Sequence, residues 1–320
     1  MSVPDVIELD HQIACIDTGY GRPRLAACYL VESGNHAAFI DTGTAHSTAG
    51  LLGLLHERGI SPEHVDYVIP THVHLDHAGG AGSLMHYLPR AKLVIHPRGA
   101  RHMIDPSALQ TGATEVYGEE RFHESFGELY PIAAERVIEA PDGFRLDLNG
   151  RQLEFLDSPG HARHHFCVYD SLSQGFFTGD TFGLSYREFD TEQGAFVFAT
   201  TTPVQFEPDA WMNTLDRLMG YRPQRMYLTH FGEVIDVERL ADDLRRSIET
   251  FAGIARDEAR AGKDDLHGRI AAAMQDTLLQ GLKQHGCRLS GETLRVLLEM
   301  DVELNTQGLL VWLQRLEKRK

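Results

Sequence analysis

Apolar positions fall in short runs over the first 235 residues and at helical spacing after that, so the chain changes texture once. Residues 25–31 and 37–40 are rich in small, β-branched and aromatic side chains and flank Glu32-Ser33-Gly34-Asn35, which predicts a β-hairpin. Asn149-Gly150 signals a second hairpin, because both residues tolerate the positive φ of a tight hairpin turn. Residues 65–70, 153–156, 175–177 and 225–228 are further strand-like runs. Residues 45–58 carry Leu51, Leu52, Leu54 and Leu55 on one side and stop at Gly59, the pattern of an amphipathic helix closed by glycine.

Two stretches interrupt this alternation. Between His96 and Ile138, residues 98–105 and 114–130 read as helices, and Tyr117, Phe122, Phe126 and Tyr130 form an aromatic stripe that suits helix packing better than a pocket wall. From Asp180 to Trp211 strand signals are sparse, and Phe182, Tyr186, Phe196 and Phe198 suit pocket lining nearly as well as packing. After about residue 236 there is no proline, and Leu240, Leu244, Ile248, Phe251 and Ile254 keep helical spacing. Further helices are expected over 265–284, 290–303 and 306–316, with Ser290 as an N-cap. The predicted organisation is a domain of residues 1–235 followed by a helical extension of residues 236–320.

Composition narrows the partners. With 320 residues and 42% hydrophobic content, the chain can bury one large core plus an appendage. It contains no apolar run of about 18 residues and begins without a basic stretch leading into an apolar one, so the expectation is a soluble cytoplasmic protein with no membrane partner. A formal net charge of −16 repels nucleic acid, and Lys318-Arg319-Lys320 reads as a frayed tail. Cys15, Cys28, Cys167 and Cys287 are scattered and read as reduced, mostly buried thiols. A small-molecule substrate is the expected partner, and a homodimer stays open.

The chemistry concentrates at residues 71–80, Thr-His-Val-His-Leu-Asp-His-Ala-Gly-Gly, where His72, His74, Asp76 and His77 follow the strand-like run 65–70. A strand end aims side chains from a rigid base, and neutral imidazole with carboxylate is a donor set for Zn²⁺, Fe or Mn. The plain alternative is a histidine-rich surface loop in a chain with 18 His. The preceding strand and the closeness of the donors outweigh it.

This His-x-His-x-Asp-His pattern resembles the signature of the metallo-β-lactamase superfamily, and the family's later motifs follow in order. Ser158-Pro159-Gly160-His161 resembles its Pro-Gly-His motif, Thr178-Gly179-Asp180-Thr181 its Gly-Asp motif, and Leu228-Thr229-His230-Phe231-Gly232 its terminal His motif. The resemblance implies an α/β fold, the αββα metallo-β-lactamase sandwich, here with a C-terminal helical extension. It implies two divalent metal ions, zinc in the first place with iron or manganese as alternatives. His72, His74 and His161 would hold one ion and Asp76, His77 and His230 the other, with Asp180 bridging them. Asp41-Thr42-Gly43 resembles the family's early Asp-x-Gly turn, whose carboxylate braces the metal loop. The C-terminal helices resemble those that wall the pocket in glyoxalase II and the quinolone-signal response thioesterase; a dimerisation or stabilising appendage is the alternative.

Two ions sharing a water lower its pKa and leave a hydroxide nucleophile between them, and the sequence holds no Gly-x-Ser-x-Gly elbow to compete. Asp76 could orient that hydroxide or pass its proton to the leaving group. Tyr186 resembles in position a tyrosine of the N-acyl homoserine lactonases and could donate to a substrate oxyanion. If strand alternation ran through His161 to His165, then His165 would share the direction of His161, His164 would face away, and one of the pair would brace a ligand. The expected function is hydrolysis of an ester, lactone or thioester. A phosphodiesterase similar to ribonuclease Z is the alternative, although no basic arm is visible. A single-iron persulfide dioxygenase using His72, His161 and Asp180 alone is another, and a non-catalytic sensor with this fold is a fourth.

Overall fold

The computed structural model describes residues 4–201, 204–262 and 264–318. The side chain of Tyr117 from the expected aromatic stripe, and Arg319-Lys320 of the expected tail, lie outside the described residues. The chain divides into two compact units, one of Met1–Asp157, His164–Gly179 and Pro223–Ile235, the other of Ser158–Arg163, Asp180–Arg222 and Asp236–Lys320.

The first unit carries two mixed sheets. One contains β1 (Val6–Leu9), β2 (Ile13–Asp17), β3 (Ala27–Ser33), β4 (His36–Ile40), β5 (Val65–Ile69), β6 (Lys92–Ile95) and β7 (Val137–Glu139), paired in chain order. Its pairings are antiparallel from β1 to β4 and parallel from β4 to β7. Parallel neighbours need crossovers. These are supplied by α1 (Thr48–Glu57), by α2 (Leu75–Ala78) with α3 (Ala81–Tyr87), and by α4 (Pro97–Ile104), α5 (Ser107–Tyr117) and α6 (Glu119–Phe126). The other sheet contains β8 (Phe144–Leu148), β9 (Arg151–Asp157), β10 (Phe166–Asp170), β11 (Gly175–Gly179), β12 (Arg225–Leu228) and β13 (Gly232–Val234), antiparallel throughout except for the parallel pair β11 and β12.

Strand β3 shows why its sequence is continuously apolar. Side chains alternate at period two, and Ala27, Tyr29 and Val31 enter the core between the sheets while Cys28 and Leu30 enter the core beneath α1 and α3. The inter-sheet core also takes Phe155, Phe166, Phe177 and Tyr227, each contributing about 1.5–3 kcal/mol on full burial. The Tyr29 hydroxyl donates to the Leu228 carbonyl at 2.5 Å, which satisfies it and joins the sheets. A buried ion pair adds a second tie. Arg151 on β9 donates to both oxygens of Asp170 on β10, at 3.0 and 2.6 Å, and also to the carbonyls of His11 at 2.7 Å and Glu32 at 3.1 Å.

The second unit is helical, with α7 (Pro208–Gly220), α8 (Val237–Ala261), α9 (Leu266–Gln284) and α10 (Gly291–Lys318). The helices after the sheets are therefore present as expected. They share this unit with residues 158–163 and 180–222, segments that lie between strands in the sequence. Among the described residues, no helix is long and apolar enough to cross a membrane.

Local differences from the sequence expectations have identifiable causes. The helix expected over 114–130 is broken by Gly118 at φ 82°; Phe122 and Phe126 pack beside Leu75, but Tyr130 lies past α6 and is exposed. The hairpin of β1 and β2 carries no glycine signal, because His11 and Gln12 themselves take positive φ. The helices expected over 290–303 and 306–316 are one helix, α10, which runs unbroken through Asn305 and Thr306. Ser290 does cap it, accepting from the Thr293 backbone N–H at 3.1 Å.

Candidate metal centre

The site begins at the ends of parallel strands. Because β4 and β5 run in the same direction, Asp41 and Thr71 leave the first sheet at the same edge. Asp41 adopts φ 57°, a conformation Asp tolerates better than most side chains, and its carboxylate is buried. A buried carboxylate needs partners, and this one has several. It accepts from the Thr71 N–H at 2.7 Å and hydroxyl at 3.0 Å, from the Thr229 hydroxyl at 2.6 Å, and faces His77 Nδ1 at 2.8 Å.

Those contacts aim the imidazoles. With Nδ1 of His77 on Asp41, its Nε2 is turned to Asp76, 3.6 Å from Oδ2. With Nδ1 of His230 on the Leu25 carbonyl at 2.6 Å, its Nε2 lies 3.3 Å from the same oxygen. One donor atom each from Asp76, His77 and His230 thus lies within 4.8 Å of the others. Beside them, the His72 ring is centred 4.1 Å from His77 and 4.4 Å from His74, with His72 Nε2 2.8 Å from His74 Nδ1. The first unit therefore gathers five of the seven expected ligands.

The other two, His161 and Asp180, meet within the second unit, Nε2 to Oδ2 at 3.3 Å, both buried. His161 Nδ1 lies 3.0 Å from the Thr200 carbonyl. Helix α7 holds both of their segments: Trp211 Nε1 donates to the Thr181 carbonyl at 2.7 Å and the Thr214 hydroxyl to the Pro159 carbonyl at 2.7 Å. Gly160 has φ 143° and passes so near α7 that a Cβ there would sit 2.4 Å from that of Trp211, which explains the glycine before His161.

The donor chemistry fits divalent metal. Imidazole and carboxylate suit zinc or iron, and His77, His230 and His161 each place Nδ1 on an oxygen acceptor, as metal-binding histidines usually do to fix the tautomer that leaves Nε2 available. Cysteine chemistry has no such support. Burial pushes the Cys28 thiol well above its ordinary value, and none of the four cysteines forms a disulfide.

Three expectations need revision or addition. Tyr186 is buried and its hydroxyl donates to Asp301 Oδ1 of α10 at 2.9 Å, so its proton is engaged within the protein. Arg163 and His164 form a turn before β10 begins, so strand alternation does not govern His164 and His165, and both rings lie near His72, at 6.1 and 4.7 Å. Thr71 and Thr229, which hold Asp41, were not singled out from the sequence. The available signal was the dipeptide Thr-His, present before both His72 and His230. In the segment after Asp180, Phe182 is core, whereas Phe196 and Phe198 line a cleft of about 600 Å³ with Phe251 and Leu278.

Residues 21–230 match the family model described as the metallo-beta-lactamase superfamily. A metallo-beta-lactamase fold-containing protein of Sulfurisphaera tokodaii is 24% identical over 82% of this chain and 92% of its own length. The crystal structure of that archaeal protein covers 86% of this chain and 100% of its own at a TM-score of 0.62. A metallo-beta-lactamase family protein of Thermus thermophilus, 19% identical, aligns at a TM-score of 0.66 over 95% of this chain and 93% of its own. An atrochrysone carboxyl ACP thioesterase of Aspergillus aculeatus is 24% identical over 86% of this chain and 72% of its own.

Proposed function

This chain belongs to the metallo-β-lactamase superfamily, and we propose that it is a two-metal hydrolase acting on a small ester, lactone or thioester. The observation that carries this reading is the convergence of Asp76, His77 and His230, with each imidazole held at Nδ1 by a separate oxygen acceptor. His72, His74 and His161 complete the proposed ligand set, with Asp180 bridging. Divalent cations bound there supply Lewis-acid polarisation of an acyl oxygen and a water of lowered pKa.

The protein's own groups do the rest. Asp41 and the carbonyls of Leu25 and Thr200 keep the ring protons on Nδ1. Asp76 is the more accessible carboxylate, 22% exposed against 6% for Asp180, which supports a role in taking a proton from the attacking water and returning it to the leaving group. The Aspergillus aculeatus thioesterase among the relatives supports an acyl substrate. A formal charge of −16 favours a small molecule over nucleic acid or an anionic membrane. A single-iron dioxygenase would leave Asp76, His77 and His230 converged without a task.

The test is elemental analysis of purified protein, followed by a panel of thioesters, lactones, aryl esters and phosphodiesters. Two metal equivalents with turnover of an acyl substrate are expected. One iron per chain with persulfide oxidation, or preference for phosphodiesters, overturns the reading.

A further inference from the structure

Helix α10 buries polar side chains at its middle, Asp301, Asn305 and Thr306, where a packing helix would carry apolar ones. Asp301 and Asn305 are one turn apart and share a face. Asn305 is fully buried and clamps both sides of Thr200. Its Oδ1 accepts from the Thr201 backbone N–H and, at 3.1 Å, from the Thr201 hydroxyl, while its Nδ2 donates to the Ala199 carbonyl at 3.4 Å. The Thr201 hydroxyl also lies 2.9 Å from the Asn305 carbonyl.

The carbonyl held between those contacts is the one facing His161 Nδ1 at 3.0 Å. Asp301 reaches the other segment by accepting from Tyr186, six residues past Asp180. The two segments are joined to each other by reciprocal backbone bonds between Leu184 and Phe198, at 2.9 and 3.1 Å. A single face of α10 therefore contacts both the stretch whose carbonyl faces His161 and the stretch that follows Asp180.

We propose that Asn305 is a positioning residue for the metal ligand His161, acting through the Thr200 carbonyl, and that Asp301 braces the Asp180 segment through Tyr186. The C-terminal helix is then part of the metal centre. This inference rests on the two-metal reading above, and it assigns the buried amide a purpose that packing does not supply. An acceptor that fixes a ligand's tautomer and ring orientation typically changes metal affinity by about 10- to 100-fold.

The experiment uses the full chain loaded with Zn²⁺ or Co²⁺. Stoichiometry and both dissociation constants are measured by chelator competition, with the Co²⁺ absorption spectrum as a second readout. Asn305→Ala is expected to weaken one of the two ions by about 10- to 100-fold and to alter the Co²⁺ spectrum. Leu309→Ala, a buried change on the same helix, is expected to lower the melting temperature while keeping both affinities. Parent affinities in Asn305→Ala, or an equal loss in Leu309→Ala, overturn the proposal. If Asn305→Ala does not fold, Thr201→Val is read in its place, with a several-fold loss for the same ion expected and unchanged affinity overturning it. A parent protein that binds no ion sinks the hydrolase reading as well; a parent that binds two ions beside unaffected variants sinks this inference alone.

Discussion

Asp41 meets His77 at 2.8 Å, carboxylate oxygen to Nδ1, and the same carboxylate holds Thr71 and Thr229, the residues immediately before His72 and His230. One side chain thereby ties together proposed ligand segments more than 150 residues apart in sequence. Asparagine at this position tolerates φ 57° as Asp does, yet it turns a donor toward His77 and Thr229. Asp41→Asn is therefore expected to lower metal affinity by about 10- to 100-fold while the chain still folds. Metal content after dialysis, measured beside far-ultraviolet circular dichroism, checks this. Full metal retention would show that Asp41 serves folding alone.

Asp180→Ala should abolish turnover more completely than Asp41→Asn, because the first removes a proposed ligand of both ions and the second only a brace behind ligands that remain. Steady-state rates at saturating metal separate the two. Equal loss of activity with metals retained in both variants would move Asp41 from support into the reaction.

Acid sensitivity follows from Asp170. Burial pushes its pKa up, but the hydrogen bonds and charge of Arg151, with the Ser173 N–H, outweigh burial and hold it below the ordinary carboxylate value. A carboxyl whose folded pKa is depressed contributes stability that is present above its unfolded value of about 3.9 and is lost as pH falls through the folded value. The parent should thus lose stability below about pH 4, and Asp170→Asn should flatten that limb. The same substitution leaves Arg151 buried beside a neutral amide and should cost about 3–5 kcal/mol near neutral pH. Urea unfolding at pH 7 and at acid pH measures both effects; an unchanged acid limb in Asp170→Asn would place the sensitivity elsewhere.

Phe196 lines the 600 Å³ cleft of the helical unit and is only partly buried, unlike Phe182. Phe196→Ala is expected to weaken transition-state binding of long-chain acyl substrates by about 1–3 kcal/mol and to leave an acetyl ester nearly unaffected. Comparing kcat/KM across chain lengths tests it. A uniform loss would make this cleft structural.

The metal motifs were legible in the sequence because each pairs a strand signal with unusual donors, as at Val68-Ile69 before His72 and Tyr227-Leu228 before His230. Strands such as β3 and β12 were legible for the same reason, being short apolar runs buried in the sheets. What escaped was support that acts through the main chain. Nothing in Leu25 or Thr200 announces that its carbonyl will face an imidazole. The break expected at Leu304-Asn305 is absent: Asn favours caps and turns, and only tertiary partners reveal that the polar atoms of Asn305 are satisfied within a continuous α10. The misreading and the proposed brace have one origin, a polar residue where local propensity is unfavourable.

The bond between Asp41 and Thr229 spans 188 residues and ties the end of β4 in the first sheet to the end of β12 in the second, so it is expected to form only after both sheets are in place. Such distant closure is late in folding. The proposed ion-binding geometry is then a property of the finished chain, unavailable to a nascent or half-collapsed one. Cations in a refolding buffer should leave the refolding rate unchanged and slow unfolding instead, since they bind what the transition state has not yet assembled. Residence time in the native state, rather than speed of reaching it, is what metal supply would control.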